Sequence, residues 1–359
     1  MLPVSTLLVL AGGLFFIWNM EVRREREEVV RREEEKKNSQ EIVPASMAWE
    51  LATSTAPWEA RDSAAAFVFN NKMWIMGGLN GNALVKKHQI NYWKAPHFND
   101  IWSSENGVHW TEEAKNADFA PRRSMSVVLF QEKLWMFGGW SPVGGYQRDI
   151  WNSEDGVDWK KVSARAVWPA REGQQVEVFN GKIWMMGGVH YDNREVKNDV
   201  WFTEDGTSWK LATSSAPWAG RWDHATAVFQ NKIWLTAGMD LKNHTFGDVW
   251  YSEDGITWKL ATDNPPWGTR QGHALVPYKN QLWLLGRLND SENGGVNDVW
   301  FTEDGSNWHK TETNPAWTGR EDFSALAFGD TIWVMGGMDA SWRWKNDVWR
   351  AVVALTHEQ

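Results

Sequence analysis

Between residues 48 and 350 one pattern recurs six times, and that recurrence limits the possible folds more than any other feature of the chain. Its clearest mark is a tryptophan inside an apolar run, at Trp74, Trp135, Trp184, Trp234, Trp283 and Trp333, with gaps of 61, 49, 50, 49 and 50 residues. Each unit opens on an apolar run such as "HATAVF" from His224, which predicts a strand. A tight turn ("NGK", "QNK") follows, then "KIWMMGG" from Lys182, "DVWFTED" from Asp199 and "SWKLAT" from Ser208, predicting three more strands. Each unit is therefore expected to be a four-stranded antiparallel meander.

Twisted sheets of this length pack radially as blades, so the expected fold is all-β, a six-bladed β-propeller. The two ends of the repeat region support that count. After Trp349 the sixth unit lacks its "SEDGxxW" strand, whereas "AWELATSTAPWEAR" from Ala48 begins with one. The segment around Trp49 is thus expected to supply the outer strand of the last blade and close the ring, since an open ring would leave a sheet edge unpaired.

The glycine pairs Gly77/Gly78, Gly138/Gly139, Gly187/Gly188 and Gly336/Gly337, each about ten residues before a Trp strand, resemble the kelch repeat. The resemblance covers residues 48 to 350 and implies a propeller; it departs at Ala237/Gly238 and Gly286/Arg287. The "SEDGITW" turn from Ser252 is also similar to the sialidase Asp-box, one residue short between Asp and Gly. Kelch-like propellers include galactose oxidase, whose copper site is implied to need a Tyr–Cys cross-link. This chain has no cysteine, so neither that site, a disulfide nor a thiolate-bound zinc is open to it.

The chain holds 29 Trp against 5 Tyr, and the repeat accounts for 23 of the former. Six lie in the second strands, six in the third (Trp102, Trp151, Trp201, Trp250, Trp300, Trp349) and six in the fourth (Trp49, Trp110, Trp159, Trp209, Trp258, Trp308). Five more occupy the "APW" connections: Trp58, Trp168, Trp218, Trp267 and Trp317. Rings repeated once per blade are expected to pack between blades and to mark no ligand. Trp18, Trp93, Trp140, Trp222, Trp342 and Trp344 remain.

In an up-and-down meander, the loops between the second and third strands leave the same end of the propeller as the blade-to-blade connections. Trp93, Trp140, Trp342 and Trp344 fall in those loops and Trp222 at a blade entrance, so one face should carry all five. Between the second glycine position and the third-strand Asp there are 10 or 11 steps in blades two to six, but 22 in blade one, from Gly78 to Asp100. The insertion carries "LVKKHQINYWKAPHF". A long loop on a rigid scaffold is where binding residues tend to sit. The candidate partner-binding residues are Lys87, Tyr92, Trp93, Lys94, Trp140, Tyr146, Trp222, Trp342, Arg343 and Trp344, because exposed aromatics beside cations are common interface anchors.

Each blade entrance is also read as carrying an arginine, Arg61, Arg123, Arg171, Arg221, Arg270 and Arg320, and each third strand opens on an aspartate. Arg-to-carboxylate or Arg-to-carbonyl bonding that fastens the blades together is the favoured role, with an anion or acidic-peptide site near the channel mouth as the alternative. His190, His224, His244 and His273 reach the same face near Asp192, Asp223 and Asp240, but no HxH or HExxH spacing suggests a metal, and no metal, cofactor or catalytic residue is assigned.

A net charge of −9 and a pI near 5.6 argue against nucleic acid as a partner. At the N-terminus, Leu2 to Trp18 form an uncharged apolar run, long enough as a helix, at about 1.5 Å per residue, for a thin bilayer. It lacks a basic n-region and a small-residue cleavage site, so it reads as a retained anchor. Residues 21–44 follow with seven Glu and seven Lys or Arg over Glu21 to Gln40, many four apart, as expected of a solvated helical stalk. The domain reading is 1–20 anchor, 21–44 stalk and 45–359 propeller. The basic residues after the anchor slightly favour a cytoplasmic propeller. The chain is thus expected to be a membrane-anchored interaction module, an accessory or scaffold subunit with protein partners, integral membrane subunits among them. A carbohydrate-active enzyme or glycan binder at the Arg-lined mouth is the alternative.

Overall fold

A computed structural model describes residues 46–85, 91–287 and 296–354. Six four-stranded antiparallel sheets stand around a central channel. Blade three is representative, running Gln175–Phe179, Lys182–Met186, Val200–Thr203 and Trp209–Thr213 from the channel outward. The sixth blade takes its outer strand from the other end of the chain: Ser46–Thr53 pairs antiparallel with Val348–Ala354, Trp49 opposite Ala351. The expected closure is therefore observed. Among the described residues, helix is confined to two 3-10 turns, Asn82–Leu84 and Tyr92–Lys94, and no helix is long and apolar enough to cross a membrane. The proposed anchor and stalk lie outside the described residues.

The second strands are apolar at successive positions because both faces of a blade are covered by neighbours. Met73 and Ile75 pack toward blade six, while Trp74 and Met76 pack toward blade two. The repeated tryptophans fill these inter-blade spaces in three ways. Each fourth-strand ring meets the ring of the connection entering its own blade edge-to-face, with centroids 5.6–6.1 Å apart, and Phe119 stands in where blade two lacks that Trp. Trp49 makes the same contact with Trp317, so the closing strand is locked by side chains as well as by its ladder.

Each third-strand indole donates to the aspartate two residues before it, at 2.7–2.8 Å. The second-strand rings meet the next blade's turn: Trp135 lies under Gly206, where a Cβ would come within 2.5 Å of the ring. That contact is why the "EDG" turn needs glycine. The turn's aspartate is occupied internally. Asp205 Oδ1 accepts the Thr203 hydroxyl at 3.0 Å and the backbone N–H groups of Thr207 and Ser208 at 2.7 and 2.6 Å, so the Asp-box-like motif is a structural turn.

Candidate functional site

The entrance arginines are the pins that hold each connection to its blade. Arg171 grips Asp199 with two bonds of 2.6 and 2.8 Å, and donates to the Gly187 carbonyl at 2.9 Å. Arg61, Arg221 and Arg320 repeat this geometry with Asp100, Asp248 and Asp347, and Arg270 makes a looser version with Asp298 at 3.3 and 3.5 Å. Burial pushes the carboxyls of Asp149, Asp199, Asp248 and Asp347 up, but their guanidinium and indole partners more than reverse this, and they lie below the ordinary carboxylate range. In five blades the second glycine position, Gly188 for example, donates its N–H to the carbonyl of the next blade's pin, here Arg221 at 2.9 Å. The pins are buried to 1% exposure or less. They do not form an arginine-lined mouth.

In blade two the pin is Arg122, not Arg123. Arg122 bonds Asp149 at 2.7 and 2.9 Å and the Gly138 carbonyl at 3.1 Å. The spacing explains the correction: Arg122 lies three residues after Phe119, just as Arg61 follows Trp58 and Arg171 follows Trp168. Arg123 instead occupies the position after the pin, where the six blades carry Asp62, Arg123, Glu172, Trp222, Gln271 and Glu321. All six line one cavity of about 570 Å³ at the loop-bearing end of the channel. The next residues, Ser63, Ser124, Gly173, Asp223, Gly272 and Asp322, all have left-handed backbones, φ 50 to 65°, and form a nearly complete ring of backbone hydrogen bonds around the mouth. That turn sends the chain from the vestibule wall into the channel-lining strand.

Over this vestibule the blade-one insertion forms an arch. Asn82 ties it to blade six by two bonds with the backbone of Trp344, at 3.3 and 3.0 Å. Tyr92 faces Trp342 and Trp344, with centroids 6.0 and 6.3 Å away. Trp93 reaches the other way, to Trp140 at 4.8 Å, Tyr146 at 6.4 Å and Tyr191 at 6.1 Å, and Tyr191 continues to Trp222 at 5.3 Å. Arg123 lies against Trp93, Trp140 and Tyr92, 5.1, 5.3 and 5.7 Å from their centroids, and pairs with Glu172 through Nε at 2.8 Å and Nη2 at 3.2 Å.

All five off-pattern tryptophans of the described region thus surround one mouth, but they are not equally available. Trp93 is 41% exposed, whereas Trp140, Tyr146 and Trp344 are buried at 8, 9 and 3%. These three support the arch from beneath and cannot themselves be surface anchors. Trp222 and Trp342 are half-buried, Lys94 and Arg343 are exposed, and Lys87 lies outside the described residues.

Asp62, Glu172, Asp223, Tyr191, Glu321 and Asp322 were missing from the expected site. For Asp62, Glu172 and Glu321 a signal was available: the residue after each pin varies from blade to blade. Burial and nearby carboxylates hold the Asp62 and Asp223 carboxyls well above the ordinary range; burial, offset in part by Arg123, places Asp322 at about 6. Burial also lowers His224 to about 3 and His97 to about 4, so both are neutral at pH 7. Among the described residues, no group of three His, Asp or Glu could hold a metal ion.

The chain is similar in sequence to the KLHDC2/KLHL20/DRC7 Kelch-repeats domain, whose family model matches residues 33–238, more than half of the chain. No curated protein matches it in sequence. The solved structure of YjhT shares the fold with a TM-score of 0.64 at 15% identity, covering 83% of this chain and 96% of that one.

Proposed function

Because the chain belongs to the Kelch-repeat family, we propose that it is a protein-binding propeller held at a membrane by residues 2–18, and that it meets its partner with the arched face around Trp93. Kelch propellers commonly serve as interaction modules, and the apolar run at Leu2 to Trp18 supplies the attachment. One observation carries the choice of face. Trp93 touches three other aromatic rings yet stays 41% exposed at the summit of an arch that is tied down on blade six. A preorganised indole next to the exposed Lys94 loses little entropy when a partner covers it, and the exposed Arg343 lies on the blade-six loop to which the arch is tied. On this reading the protein is an accessory or scaffold subunit of a membrane assembly.

Detergent extraction and co-purification with the full-length chain test the reading. Trp93→Ala and Trp342→Ala should release a partner that wild type retains, while Ile256→Ala, in a turn at the opposite end, should not. Retention by all three variants contradicts the assignment. The carbohydrate reading relied on an arginine-lined mouth, and the buried, carboxylate-bound pins withdraw that support.

A further inference from the structure

The vestibule is built for a charge that the described residues do not fully supply. Among the described residues that line it, Asp62, Glu172, Asp223 and Asp322 are acidic, and Arg123 is basic with its side chain engaged by Glu172. Asp62 is only 3% exposed, lines the cavity, and its Oδ1 has no hydrogen-bond partner among the described residues. Burial and the neighbouring Asp322 hold its carboxyl well above the ordinary range, a strain that a cation beside it would relieve. An unmet buried carboxylate oxygen is costly, and a donor entering the cavity removes that cost. The walls show how a cation is received here, since Arg123 already lies against Trp93 and Tyr92 with its charge on a carboxylate. A second cation would find a similar arrangement from Tyr191, Trp222 and Asp223 on the other side.

We propose that the vestibule binds an organic cation, an ammonium or guanidinium group that donates to Asp62 inside the cavity whose aromatic walls are Tyr92, Trp93, Tyr191 and Trp222. Its source is a lysine or arginine side chain of the docked partner, or a free amine. In the first case the inference rests on the arched face being the docking face, and the basic side chain is the element of the partner that enters the mouth. Acidic groups are rejected because they would add negative charge to the floor, and apolar groups because they would leave Asp62 unsatisfied.

Calorimetric titration of the full-length protein in detergent tests this with three probes: n-butylamine, acetyl-Gly-Lys-Gly-amide and the same peptide with norleucine for lysine. The two ammonium probes should bind saturably below about 10 mM and the norleucine peptide should not. Tighter binding of the lysine peptide than of butylamine identifies a partner side chain as the ligand, and the reverse order identifies a free amine. Asp62→Asn should weaken both by about tenfold or more. Trp222→Phe, which keeps a ring in place, serves as a second variant should Asp62→Asn not fold and should weaken both less. No saturable ammonium binding, equal binding of the norleucine peptide, or full affinity in a folded Asp62→Asn overturns the proposal. Loss of the titration with Trp93-dependent co-purification intact would overturn the pocket alone. An intact titration with Trp93-independent co-purification would overturn the docking face and leave a free amine as the ligand.

Discussion

Glu177 is the one carboxylate among the central positions of the channel-lining strands, where the other blades place Phe67, Val128, Ala227, Val276 and Leu326. It accepts a 2.7 Å bond from the Thr226 hydroxyl of the next blade, and burial raises its carboxyl from 4.5 to about 7 although that bond pulls the other way. The native state therefore holds this proton more tightly than the unfolded chain does. Stability from the group is full below about pH 4.5 and is lost as pH rises through about 7. At about 1.4 kcal/mol per pKa unit, the loss is up to about 3 kcal/mol, less whatever water in the channel recovers. Glu177→Gln keeps an acceptor for Thr226 and removes the titration. In thermal unfolding it should match wild type at pH 4.5 and exceed it at pH 8 by about 1–3 kcal/mol, a Tm gain of roughly 2–8 °C. Asp62, Asp223 and Asp322 titrate in both proteins and cancel in the comparison. An equal gain at both pH values, or a loss at pH 8, refutes the reasoning.

Two further substitutions probe the frame. Gly206→Ala places a methyl within 2.5 Å of the Trp135 ring at φ 79°, so it should lower stability by more than about 2 kcal/mol in denaturant titration, whereas Gly181→Ala, left-handed but with open space, should cost about 1 kcal/mol. Arg171→Ala strands Asp199 and should cost about 3–5 kcal/mol by the same assay, with Arg171→Lys recovering little because one ammonium cannot reproduce the fork.

The blades were legible because their physics repeats: a central strand covered on both faces must be apolar throughout, and each inter-blade space needs the same rings. Closure at Trp49 was legible for the same reason, as a missing strand at one end and a surplus one at the other. The site was only partly legible. The arch announced itself by length and by Trp93, but the burial of Trp344 goes with the way Asn82 draws the loop onto blade six, a contact between residues 262 apart, and that of Trp140 with Trp93 and His97 packing on it. The acidic floor escaped because its members are spread over two positions after the pins and over several blades, and share no motif. "APRR" offered two arginines, and only the three-residue spacing from Phe119 shows that the second is free to turn into the vestibule.

The claim that the mouth, and not the walls, meets a partner is tested most directly by oxidative footprinting of tryptophan, read by mass spectrometry, on the purified chain and on native membranes. In the purified protein Trp93 should oxidise readily while Trp58, Trp168 and Trp218, at 0–1% exposure, stay protected. In membranes holding the assembly Trp93 should become protected and the buried set should not change. Equal oxidation of Trp93 in both preparations would contradict the account.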